Sequence, residues 1–243
     1  MDSGIIYRGP SLIDGAPIVA IATYSKRNSK IGTFVQTYIL REDIDPRDAN
    51  KSGADRSICG DCPLRGVATS DPTRKLAKDR GCYVRIDQGP LLVWKAYKRG
   101  VYSDASDGAT LRAIGARRMV RLGTYGDPAA VPRWVWDALT RDALGFTGYS
   151  HNDPEGNMRA LCMQSADSLE QARAAWRKGI RTFRVVTGLE HIDSANEVLC
   201  PASAEAGKRA TCATCRLCAG TTTRSPKSVA IVAHGNGAKF VGA

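Results

Sequence analysis

No apolar run in the chain approaches the roughly 18 residues that a membrane-spanning helix needs, so a helical membrane protein is not expected. The start, Met1-Asp2-Ser3-Gly4-Ile5-Ile6, lacks a basic region followed by an apolar stretch. It therefore predicts no secretory signal and a cytoplasmic protein. Histidine is scarce, three in 243 residues, and no His-Glu-x-x-His occurs. A Walker Gly-x4-Gly-Lys and a Gly-x-Ser-x-Gly are also missing, which removes local support for P-loop and Ser/His/Asp chemistry. Internal repeats and low-complexity segments are absent. Acidic residues are outnumbered, 24 against 35 Lys and Arg, for a net charge of +11.

What is present reads as globular, at 43% hydrophobic and 24% charged, a composition that is neither disordered nor fibrous. The positive charge attracts polyanions through counterion release, so nucleic acid or a nucleotide is the expected partner, with no membrane role. It is spread from Arg27 to Arg209 rather than gathered in one block.

Apolar runs at 18–23 and 34–40 predict strands, separated by a polar loop at 24–30. Pro90 opens a helix over 91–99, and Leu111 to Arg117 adds a further turn or two. Met119 to Leu122 is a strand that runs into Gly123-Thr124-Tyr125-Gly126-Asp127-Pro128. Pro132 opens another helix. Strand 146–150, a short helix over 156–161 and strand 162–165 follow. Ser168, with Gln171 three residues on, has capping-box spacing for a helix ending at Gly179. Strands at 182–186, 197–199 and 228–233 complete the pattern. The tryptophans Trp94, Trp134, Trp136 and Trp176 fall on helices and are expected in the core.

Strands alternating with helices predict an α/β fold, a single partial or complete βα (TIM-like) barrel spanning residues 1–243. It carries two cysteine-rich metal-binding loops, an insert at 41–90 and a C-terminal site at 200–234. The fifty residues 41–90 are too aperiodic for an idle loop, and a bound metal would organise them.

Eight cysteines in a chain expected to stay reduced read as metal ligands before disulfides. Cys200, Cys212, Cys215 and Cys218 include two C-x2-C pairs sharing Cys215, a spacing that lets thiolates converge on one metal. His234 is an alternative fourth ligand. Zinc and a [4Fe-4S] cluster both suit this donor set. Cys59, Cys62 and Cys82 form a second set without an obvious fourth ligand. Either a coordination position stays open for a substrate or cofactor, or Cys162 or His151 closes the site. Cys-Pro at Cys62 and at Cys200 is similar to the ligand pattern of ferredoxins.

In a parallel α/β array chemistry collects at the C-terminal strand ends. Candidates there are Asp127, Asp167 and His151 as catalytic residues, and Gly123, Thr124, Tyr125 and Gly126 as a backbone cradle for a cofactor. Asp127 in a plain turn, and Asp167 beside a helix cap, are the structural alternatives.

The set Ile58-Cys59-Gly60-Asp61-Cys62-Pro63, Gly81-Cys82-Tyr83, Arg121 to Pro132, Cys200-Pro201-Ala202-Ser203, Cys212-x2-Cys215-x2-Cys218 and Val229 to Gly235 resembles a phage and prophage family of small cysteine-rich proteins. At a distance the chain also resembles radical S-adenosylmethionine enzymes. That likeness implies a three-cysteine cluster before the helix at 91–99 and a cofactor-holding turn at Tyr125-Gly126-Asp127-Pro128, although the superfamily's C-x3-C-x2-C is absent. A second distant likeness is to the tRNA-guanine transglycosylase superfamily, including phage relatives that insert 7-deazaguanines into DNA. It implies zinc on Cys212, Cys215, Cys218 and His234, with Asp127 and Asp167 as nucleophile and general acid–base; the family's own first spacing is C-x-C. Three functions follow. One is an iron–sulfur, radical-S-adenosylmethionine-like enzyme of nucleic-acid or nucleotide modification. The second is a zinc transglycosylase exchanging guanine for a 7-deazaguanine. The third is a non-enzymatic, metal-stapled nucleic-acid-binding protein.

Overall fold

The computed structural model describes residues 2–28, 32–153, 155–222 and 225–242. In chain order the elements are β1 (Ser3–Pro10), β2 (Pro17–Asn28), β3 (Gly32–Arg41), α1 (Pro46–Ser52), α2 (Arg56–Cys59), α3 (Gly89–Lys98), α4 (Gly108–Gly115), β4 (Met119–Tyr125), α5 (Arg133–Thr140), β5 (Gly145–Thr147), β6 (Tyr149–Ser150), β7 (Met163–Ala166), α6 (Leu169–Arg177), β8 (Thr182–Val186), β9 (Glu197–Leu199), α7 (Cys212–Cys215) and β10 (Ser228–Val232). None of the described helices is long and apolar enough to cross a membrane.

The strands form two five-stranded sheets, ordered β1-β2-β3-β4-β5 and β6-β7-β8-β10-β9. In the first, β1, β2 and β3 are antiparallel, while β3, β4 and β5 are parallel. The second is parallel throughout. Gly148 alone separates β5 from β6. Its N–H donates to the Cys218 carbonyl at 2.8 Å and its own carbonyl accepts from Met163 N at 3.0 Å. A Cβ there would stand 2.7 Å from Cys162 Sγ, so the joint between the sheets needs glycine.

The expected α/β alternation is thus present, but the complete barrel is not formed. Among the described residues, the β1–β2 hairpin occupies one outer edge and β9 the other, and they do not pair. An antiparallel hairpin adds strand edge without the crossover that a parallel closing strand needs. The order β8-β10-β9 also departs from simple succession: β10 inserts between its two predecessors, and the 28-residue link from β9 carries the late cysteines.

The main core lies against the first sheet. Ile18, Ile21, Val35, Ile39, Val120 and Leu122 pack with Leu111, Ile114, Val135, Trp136 and Leu139 from α4 and α5. Trp136 is fully buried and its indole N–H reaches the Pro128 carbonyl. Trp134, expected in the core, is 51% exposed, because it stands on the outer face of α5. At α6, Ser168 caps the Gln171 amide, and the Gln171 side chain reaches back to Asp167 N instead of Ser168 N.

Two local expectations are corrected. The polar stretch 24–30 is not a loop up to Asn28, where β2 continues; residues 29–30 lie outside the described residues. Pairing with β3 outweighs its polarity. Residues 156–161 form turns, not a helix, with Asp153 Oδ2 taking the Met158 N–H that would start one. The insert 41–90, expected to bind a metal, also carries polar contacts of its own. Asp55 and Arg65 pair at 2.6 Å with side chains 3% and 17% exposed. Asn50 donates to Asp55 and to the Arg65 carbonyl and accepts from Ala77 N, while Arg65 also reaches the Gly53 and Gly60 carbonyls. Burial works against the guanidinium charge, and the bonds to Asp55 hold the Arg65 pKa above its ordinary value.

Removing one member of a buried pair strands the other's charge. Asp55→Ala is expected to lower unfolding stability by about 3–5 kcal/mol in denaturant titration. A loss below about 1 kcal/mol would show that the insert is held by something else.

Candidate functional site

Asp127 ends the turn after β4 and is 6% exposed. Its carboxylate accepts from Ser150 Oγ at 2.6 Å, His151 N at 2.7 Å, Asn152 Nδ2 at 2.7 Å and Ala129 N at 2.9 Å. Its own N–H donates to the Ile58 carbonyl at 2.6 Å. The residue therefore ties three segments together: the end of β4, the loop after β6 and the loop bearing Cys59. Asn152, which the sequence pattern did not single out, extends the tie. It donates to the Cys59 carbonyl and accepts from Asp61 N. Gly60 sits at φ 57°, and a Cβ on it would fall 1.8 Å from Asn152 Oδ1.

This clamp presents the early cysteines at the C-terminal ends of β4 and β6. Cys62 N bonds the Cys59 carbonyl and Cys82 N bonds the Leu64 carbonyl. Arg80 braces the same loop through the Cys82 and Val84 carbonyls. All eight cysteines are free thiols. Burial pushes the Cys59 thiol well up, and the neighbouring Asp55, Cys62 and Cys82 push the same way. Cys82 is raised by burial against the pull of Arg80. Cys162 stands elsewhere, 3% exposed, its thiol raised by burial and by Asp127 and Asp153.

His151 is the side chain that joins the early group. Its Nε2 lies 3.1 Å from Asp167 Oδ1, and the Cys62 thiol is close enough to act on the ring's charge. Burial opposes the imidazolium, but the bond to Asp167 and the nearby Cys62 thiol outweigh it and push the pKa up to about 10. Asp167, His151 and Cys62 thus form a carboxylate–imidazole–thiol row.

The late cysteines gather around the β9–β10 link. Cys200 N continues the ladder to the Ala230 carbonyl, α7 carries Cys212 and Cys215, and Cys218 bonds Gly148. Thr211 and Thr214 close a capping box at α7. Burial raises the Cys218 thiol, reinforced by Cys200, Cys212 and Cys215. His234 bonds the Val232 carbonyl and lies against Tyr83, with ring centroids 5.3 Å apart. Each cysteine set is gathered, yet among the described residues no group of three or more His, Cys, Asp or Glu is arranged so as to hold a metal ion.

Between the two sets lies a cavity of about 370 Å³. The parallel strands contribute Gln36, Arg121, Thr147, Tyr149, Phe183 and Ile231 to its wall. All four late cysteines and His234 border it directly, and the early loop reaches it through Leu64, Gly81 and Tyr83. Of the expected cofactor cradle, only Thr124 lines it; Gly123, Tyr125 and Gly126 do not. Gly126, at φ 85°, is pressed against Ile39, and Tyr125 is 4% exposed. Gly123, at φ 66°, sits where the β3–β4 ladder breaks, and Thr37 Oγ1 bridges the break by accepting from Gly123 N and donating to the Arg121 carbonyl. Asp127, Asp167 and His151 are also outside the cavity wall. Arg121, Thr147, Tyr83 and Tyr149 are the cavity residues that motif reading missed. The available signal was a charged residue alternating with apolar ones in a strand.

Comparison with protein-family models, with curated proteins and with solved structures finds no match to the chain.

Gly60→Ala tests the clamp. Its Cβ cannot coexist with Asn152 and its φ is strained, so a stability loss of about 1–3 kcal/mol is expected. Cys59 and Cys62 should also react faster with a thiol-specific reagent. Unchanged thiol reactivity would mean that Asn152 does not hold the loop.

Proposed function

We propose that the protein is an enzyme of nucleic-acid or nucleotide modification. In this reading a cysteine-bound iron–sulfur cluster stands at the strand ends, beside a cavity that receives the substrate. The reading is supported by the chemistry of the two cysteine sets, Cys59, Cys62 and Cys82 near His151 and the late four on the cavity wall, although as placed neither set encloses a metal ion. Buried thiols with one imidazole are a donor set for a soft metal, not for a hard oxygen-seeking cation. Cys59, Cys62 and Cys82 would hold the first group; the late four would hold a second, or structural zinc. A cluster with three thiol ligands supplies electron transfer and one open position for a substrate or cofactor. S-adenosylmethionine, as in the radical enzymes the sequence resembles, is the co-substrate that this reading names.

The chain's own residues have separable tasks. Asp127 and Asn152 orient the early loop. Asp167 holds the His151 ring against Cys62, where the imidazole can pass or keep a proton. The aromatic and basic wall of the cavity receives the base. The net charge of +11 favours an anionic substrate.

A zinc transglycosylase is the second reading, supported by the late thiols facing the cavity. It needs a carboxylate that can reach the substrate, and among the described residues no Asp or Glu lines the cavity. Asp127 is engaged by four donors, which leaves Asp167, with a side chain 34% exposed, to serve.

Anaerobically purified protein is expected to be brown, with iron and acid-labile sulfide, and Cys62→Ser should remove that absorbance. A colourless protein with stoichiometric zinc overturns the iron–sulfur reading. Base exchange that is abolished by Asp167→Asn would establish the second.

A further inference from the structure

Arg121, half-buried, projects from β4 into the cavity, and its environment lacks the carboxylate partner that a guanidinium held in a protein wall ordinarily has. Its Nη2 donates to Tyr83 Oη at 2.6 Å and to Tyr149 Oη at 2.5 Å. Among the described residues it forms no salt bridge; its contacts are the two phenols, with the Cys212 and Cys218 thiols nearby. The cavity wall holds, among the described residues, Arg85, Arg121 and Arg216 and no acidic residue. Arg85 is matched by Asp87 outside the cavity, and Arg216 reaches only backbone carbonyls. A guanidinium removed from water without a counter-charge is costly unless a ligand provides one.

A second observation points to the same spot. Thr147 is 5% exposed, and its Oγ1 has no hydrogen-bond partner. Thr124 Oγ1 is also buried without a partner. Both residues line the cavity with their hydroxyls turned into the wall, so rotation about χ1 would bring them to a guest. Gln36, Arg121 and Thr147 are register neighbours across β3, β4 and β5, so they form one polar row on the wall. A buried hydroxyl that bonds nothing in the protein costs free energy that a bound acceptor recovers.

Beside this row the wall is aromatic. Tyr149 and Phe183 stack with centroids 4.3 Å apart and planes 8° from parallel, and Tyr38 and Tyr83 complete the surface. Stacked rings offer an extended flat face to a further planar group. The volume of about 370 Å³ is that of a small-molecule site.

We propose that this cavity binds a small planar-ring compound bearing one oxyanion, with Arg121 and the Thr124 and Thr147 hydroxyls on the oxyanion and the tyrosine–phenylalanine wall on the ring. The oxyanion is a phosphate, as in a mononucleotide, or a carboxylate on the ring itself. This deepens the function proposed above by naming the substrate class. It rests on that reading only in taking the cavity as the substrate site, because binding is measured without metal loading or turnover.

The test is calorimetric titration of the purified protein, with matched probes. Ribonucleoside monophosphates are compared with their nucleosides, orotate with uracil, and inorganic phosphate is added alone. At least one charged ring compound is expected to bind, about tenfold or more tighter than its neutral counterpart. Phosphate partners would identify the mononucleotide source and orotate the ring carboxylate. Arg121→Gln should erase the difference between charged and neutral probes, and Arg121→Lys should restore part of it. Thr147→Val should weaken binding severalfold while leaving the melting temperature of the free protein unchanged or higher, which a merely structural hydroxyl would not do. Equal binding of charged and neutral probes overturns the proposal, as does no binding of any ring compound at millimolar concentration. Arg121→Gln that strips metal from the late cysteines while oxyanion binding persists also overturns it, because Arg121 would then be the counter-charge of the thiolates.

Discussion

A buried carboxylate must be surrounded by donors, and the Asp127 carboxylate meets that demand by recruiting them from segments distant in sequence. Ser150, His151 and Asn152 come from the loop after β6, Ala129 comes from its own turn, and the Asp127 amide takes the Ile58 carbonyl. The desolvation cost of the charge is offset only when all of these contacts form together. The same set of bonds therefore couples the strand ends to the cysteine loop. The loop's glycine at Gly60, the reach of Asn152 and the placement of His151 beside Cys62 all depend on that joint.

Around this joint the chain separates two kinds of chemistry. On the early-loop side, Asp167, His151 and Cys62 make a chain of titratable groups lying outside the cavity wall. On the cavity side there are arginines, tyrosines, hydroxyls and the late thiols, with no carboxylate among them. Negative charge is thus spent on holding structure: Asp55 on Arg65, Glu197 on Arg184, Asp127 on the strand ends. The cavity is left electropositive, and the described residues of its wall offer no carboxylate nucleophile.

The alternation of strands and helices was legible because parallel strands buried on both faces leave short apolar runs, and the helices between them carry caps such as Ser168 and Pro90. Strands 182–186 and 197–199 match their expected bounds. The polar end of β2 was not legible, since its pairing with β3 is a tertiary contact that outweighs local polarity. Nor was the order of the insert 41–90. Its regularity lies in side-chain bonds from Asn50, Asp55 and Arg65, which leave no periodicity to read.

From the sequence alone come the cysteine sets, their spacing, the positive charge and the α/β class, all of which are local or additive properties. Which residues meet was decided only in three dimensions. His151, rather than Cys162, stands beside Cys62; Asp127 turns inward; Arg121, an ordinary strand residue by pattern, faces a cavity beside Thr147. Register and burial cause the difference, because side chains in a parallel array acquire neighbours from strands dozens of residues away. Charge in a low-dielectric wall gains meaning only from those neighbours.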